Sequence, residues 1–112
     1  MRREHRLTAP KDFWHISRTG KRFRTDSVVA VAVVDDARPP RVGVTTSKRI
    51  GNAVVRNRAR RRLRAAADPL VESLRLGTSV VLQATPAVLD VGWQKLENDV
   101  RKALVGVGAL DD

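Results

Sequence analysis

The run Ser27 to Val34 (SVVAVAVV) is apolar and β-branched with no polar alternation, the pattern of a strand buried on much of both faces. Arg41 to Thr46 (RVGVTT) and Ser79 to Ala84 (SVVLQA) carry related strand patterns. Between the first two, Asp35-Asp36-Ala37-Arg38-Pro39-Pro40 cannot continue a strand, so the pair is expected to form a hairpin with Asp35 and Asp36 in its turn. Elsewhere the period is helical. Thr8-Ala9-Pro10 followed by KDFWHISRTG predicts a short helix capped by Thr8, with Pro10 in its first turn and Gly20 as its stop. A second helix over residues 52 to 66 runs on through Ala65-Ala66-Ala67 until Asp68-Pro69 stops it, and the same pair is expected to start a short helix ending at Leu76-Gly77. From Asp90 onward Trp93, Leu96, Val100, Ala103 and Leu104 recur at helical spacing, followed by an expected tail after Gly106. The order is helix, two or more strands, helix, strand, helix. That is an α+β chain with helices packed on one small sheet, expected as a single domain over 1–112 with an ordered core of about 6–106.

Composition narrows the function classes. With four aromatics, Phe13, Trp14, Phe23 and Trp93, the interior must be aliphatic, and both tryptophans are expected to pack at least partly into it. Cysteine is absent, which excludes disulfides, thiolate metal sites and cysteine nucleophiles. The charged start MRREHRL and the lack of any long apolar segment predict neither a signal peptide nor a membrane span, and a cytoplasmic location.

Charge changes the picture most. The net charge is +10, distributed as +6 over residues 1 to 24, −1 over 25 to 47, +8 over 48 to 64 and −3 over 65 to 112. Lys48 to Arg64 (KRIGNAVVRNRARRRLR) holds eight basic residues and no acid. On a helix, Val55, Ala59, Leu63 and Ala66 fall on one stripe that can dock on a sheet. Arg56, Arg60 and Arg64 bracket it on one flank, with Asn57 and Arg61 further round, and Arg58 and Arg62 on the other. Like charges four residues apart destabilise an isolated helix, so a polyanion must supply the compensation. Arginine suits phosphate because its planar guanidinium makes paired hydrogen bonds. Ser47, Lys48, Gly51 and Asn52 stand at the helix start, where free N–H groups favour an anion. Together they form an RNA or DNA phosphate cradle.

The string SKRIGNAVVRNRARRRLR, preceded by a strand, resembles the signature of the bacterial ribonuclease P protein subunits, with Arg56-Asn57-Arg58 as the family's Arg-Asn-Arg motif. The similarity extends to RLTAPKDFWHISRTG and RVGVTTSK, so residues 6 to 104 align in order. It implies an α/β sandwich of helix, three strands, helix, strand, helix, with a left-handed βαβ crossover and a further short strand near Lys21 to Arg24. It also implies partners: a catalytic RNA and the 5′ leader of precursor tRNA, cleaved by the RNA with Mg2+, with no catalytic residue, metal or other cofactor on the protein and no protein partner. By this resemblance Arg56, Asn57, Arg58, Arg61, Arg62 and Asn52 address the catalytic RNA, with Lys48 and Arg49 near the junction of the two RNAs. Phe13, Thr45, Arg60 and Arg64 line or border the leader cleft. At two further cleft positions, where family members often carry aromatics, this chain has Ser17 and Val31. The cleft is therefore expected to rely on Phe13 and phosphate contacts rather than on several stacked bases.

The remaining chemistry-bearing residues stand alone. His5 and His15 lack a second ligand at helical spacing, and Asp35-Asp36 and Asp111-Asp112 lack a nearby base or nucleophile, reading as a turn and a tail. No nucleotide-binding, zinc-ligand or triad pattern is present. A binding subunit is favoured over a protein-only nuclease, and a ribosomal or general structural RNA-binding protein is the alternative.

Overall fold

A computed structural model describes residues 1–34 and 38–112. Asp35 and Asp36, expected in a turn, lie outside the described residues. The two most apolar runs become β2 (Val28–Val34) and β4 (Thr78–Ala84), the central strands of a four-stranded sheet. β1 (Lys21–Arg24) and β3 (Arg41–Thr45) form its edges, in the order β1-β2-β4-β3. β1 is the short strand implied by the family resemblance.

The expected hairpin does not form. β2 pairs antiparallel with β4, Val31 opposite Val81, while β3 pairs parallel with the far side of β4, Gly43 opposite Val81. The reason is burial: a β2–β3 hairpin would leave one side of an apolar strand unpaired, whereas insertion of β4 places both continuous runs inside. The β3–β4 connection is then a crossover through α2 (Ala53–Ala67).

Three helices cover the two faces. α1 (Pro10–Thr19) lays Ile16 over Val29, Val31 and Val81, with Leu7 completing a small core. Thr8 does not cap it; Ala9 holds the cap position, with no side-chain hydrogen bond, and Pro10 opens the helix. On the other face α2 and α3 (Trp93–Gly106) bury Ala59, Leu63, Ala66, Leu96, Val100 and Leu104 against Val80 and Leu82, while Val55 is half-buried. The helix expected through Leu76 is a 3-10 turn, Asp68–Ser73.

The expected tail is part of the core. Val107, Ala109 and Leu110 are buried, and Gly108, at φ +78, turns the chain so that Ala109 N–H donates to the Leu104 carbonyl at 3.0 Å. Arg75 N–H donates to the Ala109 carbonyl at 2.9 Å, and the Arg75 side chain pairs with Asp111. Of the tryptophans, Trp14 is corrected, being 63% exposed, while Trp93, 45% exposed, is partly packed as expected. Each carries a guanidinium over its ring, Arg18 at 4.6 Å and Arg62 at 5.8 Å.

Candidate nucleic-acid interface

The start of α2 offers an anion fewer free backbone donors than expected, because the Ile50 and Gly51 N–H groups donate to the Ser47 and Lys48 carbonyls at 3.1 and 3.2 Å. Lys48–Ile50 make one 3-10 turn, and Gly51 follows at φ +148, a conformation suited to glycine. Asn52 then caps the helix, its Oδ1 accepting the Val55 N–H at 3.0 Å. Asn52 thus has a structural task, beside exposed Lys48 and Arg49.

The arginines of α2 divide by what they touch. Arg58, Arg61 and Arg64 are exposed and have no side-chain partner among the described residues. Arg60 donates to Thr46 Oγ1 at 2.9 Å and to Asn57 Oδ1, which holds its guanidinium beside the strand end carrying Thr45. Arg56 is half-buried, with Nη1 3.5 Å from the Gly51 carbonyl. Arg62 turns toward α3: its Nη2 donates to the Val91 carbonyl at 2.6 Å, and its Nε is buried without a hydrogen-bond partner among the described residues. Asn57, Arg60, Arg61 and Arg64 line one groove of about 340 Å³. With no carboxylate in its lining, this groove suits phosphate.

Arg64 also enters a second cleft, of about 330 Å³, along the free edge of β3. The segment before α1 partly covers that edge, since Leu7 N–H donates to the Val42 carbonyl at 3.0 Å. Phe13 reaches the cleft because residue 43 is glycine; any Cβ there would collide with its ring. Arg6, Thr8 and Val44 line the same cleft and were not assigned from sequence. The bridge between Arg6 and Val42 helps bring that segment to β3, a contact without a local sequence signal.

Of the residues assigned to the leader cleft, Phe13 and Arg64 meet, and half-buried Thr45 shares a sheet face with Gly43. Val31 does not line it. It is fully buried beneath Ile16 and Gly20, so a larger residue there would overpack a closed core. Ser17 is half-buried, its carbonyl accepting from Arg22 Nη2 at 3.2 Å, while Arg22 Nη1 reaches Gln83 Oε1 at 3.5 Å. Arg22 therefore crosses the sheet face above Val31. His5 is buried with Nδ1 2.7 Å from the Pro40 carbonyl, a structural contact, and His15 is exposed. Among the described residues no group of His, Asp and Glu is arranged to hold a metal ion, and no helix is long and apolar enough to cross a membrane.

An acid-free arginine groove that shares Arg64 with an aromatic-bearing cleft, both carried by a helix–sheet sandwich, defines a protein of the nucleic-acid-binding class. Known proteins narrow that class. The family model described as Ribonuclease P matches residues 1–107. The chain is 39% identical over 104 residues to the ribonuclease P protein component of Clavibacter michiganensis, covering 91% of each. It is 46% identical over 81 residues to that of Beutenbergia cavernae, covering 72% of this chain and 68% of that one. In fold it is similar to the ribonuclease P proteins of Staphylococcus aureus (TM-score 0.81, 21% identity, covering 96% and 98%) and Thermotoga maritima (0.77, 19%, 88% and 94%). The chain belongs to the bacterial ribonuclease P protein family, which makes it an RNA-binding component of tRNA processing and a partner of ribonuclease P RNA.

Proposed function

We propose that this protein grips the catalytic RNA with the outer face of α2 and the 5′ leader of precursor tRNA with the β3-edge cleft, in the cytoplasm. The cleavage chemistry then belongs to the RNA with Mg2+ held by RNA phosphates. The observation that carries this is the position of Arg64, common to the phosphate-suited groove and to the cleft bearing Phe13. RNA on the outer face of α2 and RNA in the cleft can therefore meet at Arg64 within one region of positive potential.

On the catalytic-RNA side stand Arg58 and Arg61, with Lys48, Arg49, Arg56 and Asn57 around the helix start. On the leader side stand Phe13, Arg60, Arg64 and Thr45, joined by Arg6. By holding both RNAs the protein lowers the repulsion between them, so less magnesium is needed to bring the scissile bond to the catalytic RNA. The direct measurement is precursor-tRNA cleavage by ribonuclease P RNA at limiting Mg2+, with and without the protein. Stimulation that weakens as the leader is shortened is expected; equal cleavage with and without the protein refutes the proposal.

A further inference from the structure

At the sheet edge opposite the β3 cleft, one exposed aromatic ring shares a cleft with two cations. Phe23 of β1 stands opposite Ala30, a member of the larger core, so it projects to the side of the sheet that carries α2 and α3. There its ring sits directly against the backbone of Gly106 at the end of α3, where any Cβ would collide with it. The ring is thus fixed in place yet 42% exposed.

The space before it is a cleft of about 490 Å³, lined also by Val105, Arg101 and Lys102, with Asp112 as its one carboxylate. Lys21 adds a cation on the same face of β1. A second cleft, also about 490 Å³, shares Asn98 and Arg101 with the first and runs along α3 to Trp93, beside Arg62 of α2. This second cleft also carries Glu97 and meets α2 at Ala66, so the two clefts together extend from Phe23 to the side of the basic helix.

A fixed aromatic beside guanidinium and ammonium groups is how proteins take up an unpaired nucleotide, the base stacking and the phosphate meeting the cations. A second copy of the chain fits poorly. All four residues of β1 are exposed and three are cationic, so pairing two such edges would set like charges against each other.

We propose that this cleft receives an unpaired nucleotide of the RNA engaged by α2, its base against Phe23 and its phosphate on Arg101 and Lys102. The proposal rests on the reading that α2 faces ribonuclease P RNA. Filter binding of the full chain to ribonuclease P RNA, and separately to a single-stranded oligoadenylate, across a salt series tests it. Phe23→Leu, which keeps the apolar contact with Gly106, is expected to weaken binding about five- to 150-fold at unchanged salt slope, while Phe23→Tyr stays within about twofold. Arg101→Gln with Lys102→Gln should reduce the slope by about 1.4 to 1.8, two phosphates' worth. Loss with both RNAs supports stacking of any single strand, and loss with ribonuclease P RNA alone supports a nucleotide presented by its fold. A folded Phe23→Leu variant that binds both like the parent overturns the proposal, as does an unchanged slope in the double variant. Failure of the parent protein to bind ribonuclease P RNA instead removes the reading of α2 itself.

Discussion

Arg58 and Arg62 stand one turn apart on the same flank of α2, and replacing each by alanine should give opposite phenotypes. Arg62 donates to the Val91 carbonyl at 2.6 Å and lies 5.8 Å from the centre of the Trp93 ring, tying α2 to the start of α3. A hydrogen bond from a charged donor contributes about 1.5 to 3 kcal/mol and a half-exposed cation–π contact about 0.5 to 1. Against this, losing Arg62 relieves its buried Nε, unpartnered among the described residues, worth about 1 kcal/mol. The net loss for Arg62→Ala is about 2 kcal/mol. At about 2.1 cal/mol/K of unfolding entropy per residue, a chain of this length loses about 4 °C of Tm per kcal/mol, so the drop should be about 8 °C. Arg58 is exposed and has no partner within the described residues, so Arg58→Ala should leave the melt unchanged and reduce the salt slope of RNA binding by about 0.7 to 0.9. Thermal melts and filter binding over a potassium chloride series read both quantities. Should Arg62→Ala melt with the parent and lose the slope instead, its tie to α3 does not determine its role.

Two further substitutions probe other parts of the molecule. Gly43→Ala drives a methyl group into the Phe13 ring, so it should cost about 1 to 3 kcal/mol in urea unfolding and weaken binding of leader-bearing over leaderless precursor; no change in either refutes the contact's role. Buried Asp99 accepts from Ser27 Oγ at 2.7 Å and from Lys95 Nζ at 3.1 Å. Burial pushes its pKa up, but the Ser27 hydroxyl and the Lys95 ammonium outweigh that and hold it below the ordinary 3.8. Its contribution to stability is therefore present above that value and lost as pH falls through the lowered one. Ser27→Ala should lower stability at neutral pH and flatten its acid-side decline, measured as urea midpoints from neutral to acid pH; a curve merely parallel to the parent's counts against the mechanism.

Sequence periodicity marked the helices and the apolar strands because each is a local pattern of faces. Strand order is not local. Val28 pairs with Ala84, and nothing in either segment names the other, so the nearer partner RVGVTT was favoured wrongly. β1 (KRFR) is exposed throughout and carries no burial pattern; only family likeness suggested it. The α2 seam of Ala59, Leu63 and Ala66 was legible, as was the arginine distribution around it. What each arginine touches was not, because Val91 and Thr46 meet Arg62 and Arg60 only after the sheet is assembled. Val31 illustrates the same limit: β alternation gives its face, but not that α1 and Gly20 close over it.

The crossover through α2 couples recognition to folding. Because α2 is the covalent span between the parallel neighbours β3 and β4, and its Leu63 is buried, the helix cannot detach without exposing core and straining that ladder at both ends. Its amides should exchange with solvent mainly through global opening, and RNA bound there stabilises the entire sheet by its preference for the folded over the equally basic unfolded chain. The eight cations from Lys48 to Arg64 repel one another in the free protein, so bound RNA stabilises the chain both by mass action and by neutralising them.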